Sequence, residues 1–268
     1  MTTVIGTKTK PAIEHRIPTS LLEKKVRITV VGCGGTGSAI TAGLPHLQQA
    51  MLASGHPHGL DVTLIDGDRI SRTNCVRQPF SESEIGLYKS IVLATRINLF
   101  WGLGWKGVTA FMDESWTHET DILIGCVDSR AARNAMARTQ TFWNCFYWLD
   151  LGNNADSGQF VLGQPENSRK KCVDVRLPTA AELFPELVDP KLDRKDTLPS
   201  CSALEALERQ EPFINQTLAY QALAMLARLF RYGRLNYHGA FVNLQNGRTS
   251  PIPIDPHIWA RMQAGRNG

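Results

Sequence analysis

Val26-Arg27-Ile28-Thr29-Val30-Val31-Gly32-Cys33-Gly34-Gly35-Thr36-Gly37-Ser38 is the stretch that decides the fold. Its first six residues are rich in β-branched side chains, which sit well on a pleated, buried strand. The glycines that follow permit a tight turn and a close approach of backbone to ligand. From Ser38 to Ala53 the pattern reads as helix, so the unit is strand, glycine turn, helix. A helix entered in this way aims its first N–H groups at an anion held in the turn, phosphate above all. Alone, the motif points to a nucleotide and leaves its kind open.

Working outward, Asp61 to Asp66 reads as a second strand, and helix-compatible sequence runs from Gly86 to Trp101. Further strands are expected at Val108 to Met112 and Asp121 to Gly125, with a helix from Ser129 to about Asn144. Strands alternating with helices predict an α/β fold with a Rossmann-like, mainly parallel sheet and helices on both faces. After Phe146 to Gly152 the grammar changes. Gly158 to Gln164 follows a short Asn/Asp/Ser/Gly turn that leaves no room for a crossover helix, so antiparallel strands extend the sheet. Pro165 to Ser200, proline-punctuated and highly charged, reads as a long mobile loop. Phe213 to Tyr232 carries Ile214, Leu218, Ala222, Met225 and Leu229 at helical spacing, and Tyr237 to Leu244 and Arg248 to Ile254 close the fold as strands.

Composition narrows the class. In 268 residues, a 43% hydrophobic content is enough for one sizeable core. No apolar run reaches the roughly 18 residues of a membrane span, and the polar start Met1 to Lys10 is unlike an export signal, so the expected compartment is the cytoplasm. A net charge of +4 with scattered basic residues argues against a nucleic-acid partner; only Arg169-Lys170-Lys171 forms a run. Six cysteines without a C-x-x-C pair argue against a disulfide framework and against a zinc knuckle, so no zinc is expected.

The kind of nucleotide is decided downstream of the glycine turn. In dinucleotide enzymes the acidic ribose ligand comes about 20 residues on, whereas Asp66 lies further along, after Gly55-His56-Pro57-His58-Gly59. His56 and His58 read as surface residues of that insertion rather than metal ligands. Beyond Asp66 come Asp68, Asn74, Arg77-Gln78, Gly86-Leu87-Tyr88-Lys89, then Asp128 and Arg133. A carboxylate at a strand end suits ribose hydroxyls, cationic and amide side chains suit a triphosphate, and a further carboxylate suits magnesium. Together they describe an ATP pocket. Two of them also have plain readings: Asp68 as a turn cap, and Arg133 as the partner of Asp128 or another local carboxylate.

The order and spacing resemble the ThiF and ubiquitin-activating family, with its G-x-G-G-x-G, D-x-D-x-V-x-x-S-N-x-x-R-Q, G-x-x-K and D-N-x-x-x-R motifs. The matching residues are Gly32 to Gly37, Asp66 to Gln78, Gly86 to Lys89 and Asp128 to Arg133. Within that family the chain looks most like the ThiF-type proteins of plasmid-borne PRTRC gene systems. The resemblance implies ATP held at Gly32, Gly34, Gly35 and Gly37, with Asp66 on ribose, Asn74, Arg77 and Lys89 on the phosphates, and Asp128 on Mg2+. Asp68 and Gln78 would stand beside them, Gln78 orienting backbone. It also implies adenylation of the C-terminus of a small ubiquitin-like β-grasp partner, and a homodimer. Residues 1–24 would be an N-terminal arm, 25–165 the adenylation core, 166–200 a mobile crossover loop, and 201–268 a helix and strands completing the domain.

Relatives usually carry an R-Y-x-R-Q helix whose arginine reaches a partner subunit's ATP; here Glu14-His15-Arg16-Ile17-Pro18 is a faint echo, with Arg16 the candidate. Cys201, in Pro199-Ser200-Cys201-Ser202 before helical sequence, resembles the transfer cysteine of ubiquitin-activating enzymes. A thiol at a helix N-terminus has its thiolate favoured; the competing reading is an ordinary loop thiol, and Cys172 is the second candidate. Two rivals from other classes remain open at the level of sequence. An NAD-dependent oxidoreductase would bind NAD and not ATP, and a non-catalytic module that only holds a ubiquitin-like partner would show no pyrophosphate exchange.

Overall fold

The computed structural model describes residues 13–113, 119–139, 144–170, 175–195 and 211–264. The chain enters through β1 (His15–Arg16) and α1 (Ser20–Glu23), then forms β2 (Val26–Val31), α2 (Gly35–Ala53), β3 (Leu60–Ile65), α3 (Asn74–Arg77), α4 (Lys89–Trp101) and β4 (Lys106–Val108). It continues as β5 (Ile122–Gly125), α5 (Arg130–Ala137), β6 (Tyr147–Asn153), β7 (Ser157–Gly163) and α6 (Ala180–Leu183). Then come α7 (Ile214–Tyr232), β8 (Arg234–Leu235), β9 (Tyr237–Asn243), β10 (Arg248–Pro253) and α8 (Pro256–Ala264). Eight strands make one sheet in the order β10-β9-β7-β6-β5-β2-β3-β4. Pairings from β4 through β6 are parallel, and β6-β7, β7-β9 and β9-β10 are antiparallel. This is the expected Rossmann-like sheet with its antiparallel extension. Among the described residues no helix is long and apolar enough to cross a membrane.

Because β2 lies between β3 and β5, the chain crosses to opposite sides of it, and the crevice outside the carboxyl ends of these strands is where such sheets bind ligands. The central strands bury Ile28, Val30, Leu64, Ile122 and Ile124 almost completely. Buried Leu218, Ala222 and Leu226 of α7 join Ile40, Leu44 and Leu47 of α2 in that core, so the last third of the chain packs onto the first helix of the nucleotide unit.

Two boundaries differ from expectation for local reasons. The Asn98 side chain donates to the Trp105 carbonyl (2.8 Å) and accepts from its N–H (2.9 Å). That clamp starts β4 at Lys106 and leaves Ala110 to Met112 outside the sheet. Gly86 has φ 92°, and its N–H reaches the Ile70 carbonyl, while Arg69 and Tyr88 form an isolated antiparallel bridge. Gly86 and Leu87 therefore form a turn and a bend, Tyr88 lies in the bridge, and the helix begins at Lys89.

The opposite, N-terminal end of β5 is fastened by Asp121, which is fully buried. It accepts from Lys24 Nζ (2.6 Å), the Arg27 amide (3.0 Å) and Lys170 Nζ (3.1 Å). Burial opposes its charge, but the Lys24 hydrogen bond, the Arg27 amide and Lys170 outweigh it and hold the carboxyl below its ordinary value. A depressed folded value contributes stability that is complete above the unfolded value of about 3.9 and is lost as pH falls through the folded one. Urea midpoints measured from about pH 7 to about pH 3 should fall along an acid limb that Asp121→Asn flattens, from a lower starting midpoint. Parallel limbs in both proteins would remove Asp121 from the account.

Candidate functional site

A cavity of about 650 Å³ opens at the carboxyl ends of β2, β3 and β5. Gly32, Gly34, Gly35 and Thr36 form one wall, and Asp66, Asp68, Arg77, Gln78 and Lys89 line another. Asp128, Ser129 and Arg130 stand at a third, and Phe111, Met112 and Met136 supply an apolar side. The turn that shapes the first wall is closed by Gly37, where a Cβ would lie 1.8 Å from the Gly32 carbonyl oxygen. A second depression, about 680 Å³ between the C-terminal parts of α2 and α7, carries none of the motif residues. Arg228, Arg231 and His56 stand among its mostly apolar lining, but it holds neither a carboxylate nor the glycine turn, so the chemistry belongs to the first.

Asp66 couples the two strand ends. Its Oδ2 accepts the Cys33 amide (2.5 Å) and its Oδ1 the Asp68 amide (2.7 Å), so one carboxylate sets both the glycine turn and the loop after β3. Burial pushes its carboxyl up, against the pull of those amides and of Lys89. Lys89, buried at the start of α4, donates to Asp68 Oδ2 at 3.0 Å. On α3 and just after it, Arg77 Nε and Gln78 Oε1 are buried and have no hydrogen-bond partner among the described residues. Buried polar atoms left unpaired carry a penalty of about 1–3 kcal/mol each. Arg77 Nε, a donor on a cation, fits an anionic guest, and Gln78 Oε1, an acceptor, fits a hydroxyl or amino donor on the same guest.

The third wall hangs from α5. Arg133 Nε donates to Asp150 Oδ1 at 2.8 Å, and its Nη2 reaches the carbonyls of Val127 (2.9 Å) and Leu151 (3.1 Å). This pair, about 5% and 1% exposed, ties the loop bearing Asp128 to the end of β6. Burial pushes the Asp150 carboxyl up, against Arg133. The carboxylate that Arg133 meets is therefore seventeen residues away rather than Asp128. The first amides of α5 are already taken: Asp193 accepts those of Arg130 (3.0 Å) and Ala131 (2.8 Å), and Ser129 Oγ that of Ala132 (3.1 Å). Asp193 belongs to the 3-10 turn Pro190–Lys195, and Asn134 Nδ2 holds the Val188 carbonyl at 2.7 Å, so this part of the segment between β7 and α7 is docked on α5 beside the cavity.

As a metal ligand, Asp128 stands differently from its neighbours. Asp66 is engaged by two amides and Asp68 by Lys89, while Asp128 is exposed at the cavity rim. No cluster of three metal-binding side chains occurs among the described residues. Magnesium at nucleotides needs only one or two carboxylates, the phosphates and water supplying the rest, so this donor set fits it.

Of the residues singled out in the sequence, Gly32, Gly34, Gly35, Asp66, Asp68, Arg77, Gln78, Lys89 and Asp128 come together around the cavity. Gly37 lies behind the turn, and Asn74 accepts the Ser71 amide through Oδ1 (2.9 Å), shaping the loop before α3. Arg16 is exposed on β1, paired with Arg234 of β8. Cys201 and Cys172 lie outside the described residues. Among the described cysteines, burial pushes the thiols of Cys33, Cys126 and Cys145 up, which disfavours thiolate at each. The sequence reading missed Asn153, Gln159 and Asn215, which also line the cavity. Asn153 ends β6 and carried a strand-end signal; Asn215, on α7, carried none.

The ThiF family profile matches residues 20–254. No curated protein matches the chain at a significant level. Among solved structures, E. coli MccB with ATP is similar at a TM-score of 0.54 and 19% identity, covering 86% of this chain and 64% of that one. E. coli MccB with AMPCPP and MccA gives 0.52 and 18%, over 86% and 65%. PaaA gives 0.58 and 13%, over 86% and 73%. At these identities the likeness is one of fold, and the chain spans about 64% of the length of the MccB chains.

Proposed function

The chain belongs to the ThiF family, and from that premise we propose that it binds ATP in the cavity and adenylates a carboxylate. The observation that carries the reading is the meeting of Arg77, Lys89 and Asp128 with the glycine turn in one cavity at the β2 switch point. The first amides of α2, Arg77 and Lys89 hold the phosphates, Asp66 the ribose, and Phe111, Met112 and Met136 the base. Asp128 would hold magnesium, which would supply charge neutralisation at the phosphates. A carboxylate oxygen of the acceptor attacks the α-phosphorus, the bond to pyrophosphate breaks, and an acyl-adenylate remains. The carboxylate is already a nucleophile, so no general base is needed. The protein's work is positioning and the stabilisation of developing charge.

The acceptor we propose is the C-terminus of a small ubiquitin-like β-grasp protein, acted on by a homodimer in the cytoplasm, within a PRTRC-type gene system. The motif order supports this, and the solved complex of MccB with AMPCPP and MccA supports a second substrate beside the nucleotide. Calorimetry with Mg-ATP and exchange of labelled pyrophosphate in the presence of any small β-grasp protein encoded beside it test the reading. Tight NAD binding without ATP binding would replace it by an oxidoreductase. ATP binding without exchange would leave a holding module.

Transfer to Cys201 completes the proposal: its thiolate attacks the acyl carbon, a thioester forms and AMP leaves. An ATP-dependent partner adduct that thiol reagents cleave is expected, and it should vanish in Cys201→Ala while exchange survives. Persistence of the adduct would move the role to another cysteine, Cys172 first. Exchange with no adduct would leave adenylation alone.

A further inference from the structure

We infer that Asn215, on the first turn of α7, is a positioning residue of the phosphate cradle, where it fixes the glycine turn through Thr36 and fills the space beside Gly35. The inference rests on the nucleotide reading of this cavity.

Asn215 is 8% exposed and lines the cavity together with Gly34, Gly35 and Thr36. Thr36 Oγ1 donates to Asn215 Oδ1 at 2.8 Å, with Asn153 Oδ1 a longer alternative at 3.2 Å. A hydroxyl has one proton, so the shorter contact takes it. With Oδ1 committed to Thr36, the amide nitrogen faces Gly35. A Cβ on Gly35 would lie 2.5 Å from Nδ2 and 2.9 Å from Cγ. The third glycine of the motif is thus a glycine because Asn215 fills the space a side chain would take. Gly35 and Thr36 open α2, and their amides have no partner within the helix, so they are the donors a phosphate meets. Asn215 therefore packs against the residues that do the binding and holds them in place.

The entry to α7 supports this from a separate direction. Phe213 caps the helix at φ 72°, a left-handed conformation that residues with a Cβ rarely adopt. Its side chain is 72% exposed, so packing of the ring does not account for the conformation. The turn is held by the Thr217 amide on the Phe213 carbonyl (2.9 Å) and the Glu211 amide on the Ala155 carbonyl (2.7 Å). Together these place the first turn of α7 where Asn215 meets Thr36. Strained backbone of this kind persists where surrounding structure over-determines it, typically at ligand sites.

The test is calorimetric titration of the full chain with ATP, ADP and adenosine, together with thermal melts, for wild type, Asn215→Ala, Asn215→Asp and Thr36→Val. Asn215→Ala should weaken ATP and ADP about tenfold and leave adenosine within about twofold. Asn215→Asp can still accept the Thr36 hydroxyl but sets a carboxylate beside Gly35, so it should weaken ATP more than adenosine. Its loss for ATP should exceed that of the alanine variant because a carboxylate repels phosphate. Thr36→Val should reproduce part of the loss. Gly35→Ala should weaken ATP in wild type and add little to Asn215→Ala, since the clash partner is gone. Wild-type ATP affinity in Asn215→Ala, or equal loss of adenosine and ATP, would overturn the inference. A wild-type protein that binds none of the three ligands would overturn the nucleotide reading, and this one with it.

Discussion

Asp128→Ala should lose exchange of labelled pyrophosphate into ATP by at least about 100-fold, with a melting temperature within about 2 °C of wild type. The two halves of that expectation have different sources. Asp128 is exposed on the turn between β5 and α5, and among the described residues its carboxylate makes no hydrogen bond or ion pair, so its removal takes nothing from the fold. Yet it faces the same cavity as Arg77 and Lys89 and is the carboxylate there not engaged by an amide or an ammonium. A group placed for charge that exists only with ligand contributes to the reaction and not to stability. Asp128→Asn should fall between the alanine variant and wild type, because it keeps one oxygen ligand and loses the charge. Full exchange in Asp128→Ala, measured with saturating ATP and partner, would remove Asp128 from the site.

Arg133→Ala is expected to do the reverse, damaging the fold first. Its partner Asp150 is fully buried, its Oδ2 has no partner among the described residues, and Arg133 carries the hydrogen bonds to the carbonyls of Val127 and Leu151. Removing one member of a buried pair leaves an uncompensated charge and costs about 3–5 kcal/mol, roughly 6–20 °C in melting temperature for a chain of this size. Asp150 escapes part of the penalty by taking up a proton, since burial already pushes its carboxyl up. A raised folded value means the deficit is smallest below the unfolded value of about 3.9 and grows as pH rises through the folded one. Arg133→Met combined with Asp150→Leu should recover most of the lost stability, because an apolar pair of similar volume leaves no buried charge. Exchange should not recover with it, since the carbonyl of Val127 loses the tether that sets the Asp128 turn. Urea unfolding of the singles and the double decides this. A single variant within about 1 kcal/mol of wild type would show that the pair does not hold the wall.

The sequence by itself determined the class of fold, the extent of β2 from Val26 to Val31, and the change from parallel to antiparallel pairing after β6. These are written in side-chain periodicity, glycine placement and the length available for a connection, all of which act over a few residues. The same locality explains why Asp66, Arg77, Lys89 and Asp128 were legible as one group: Asp66 and Asp128 follow strand ends, Arg77 ends the short helix after β3 and Lys89 opens the helix after that, and a parallel sheet gathers those positions on one edge. Tertiary structure alone decided that β2 lies between β3 and β5, that Arg133 meets Asp150, that Asp193 takes the first amides of α5, and that Asn215 reaches Thr36 across a separation of 179 residues. Strand order and distant polar pairs depend on which buried faces pack together. Those faces, built from Val, Ile, Leu and Ala, are chemically alike, so no local pattern tells one partner from another until the core has closed.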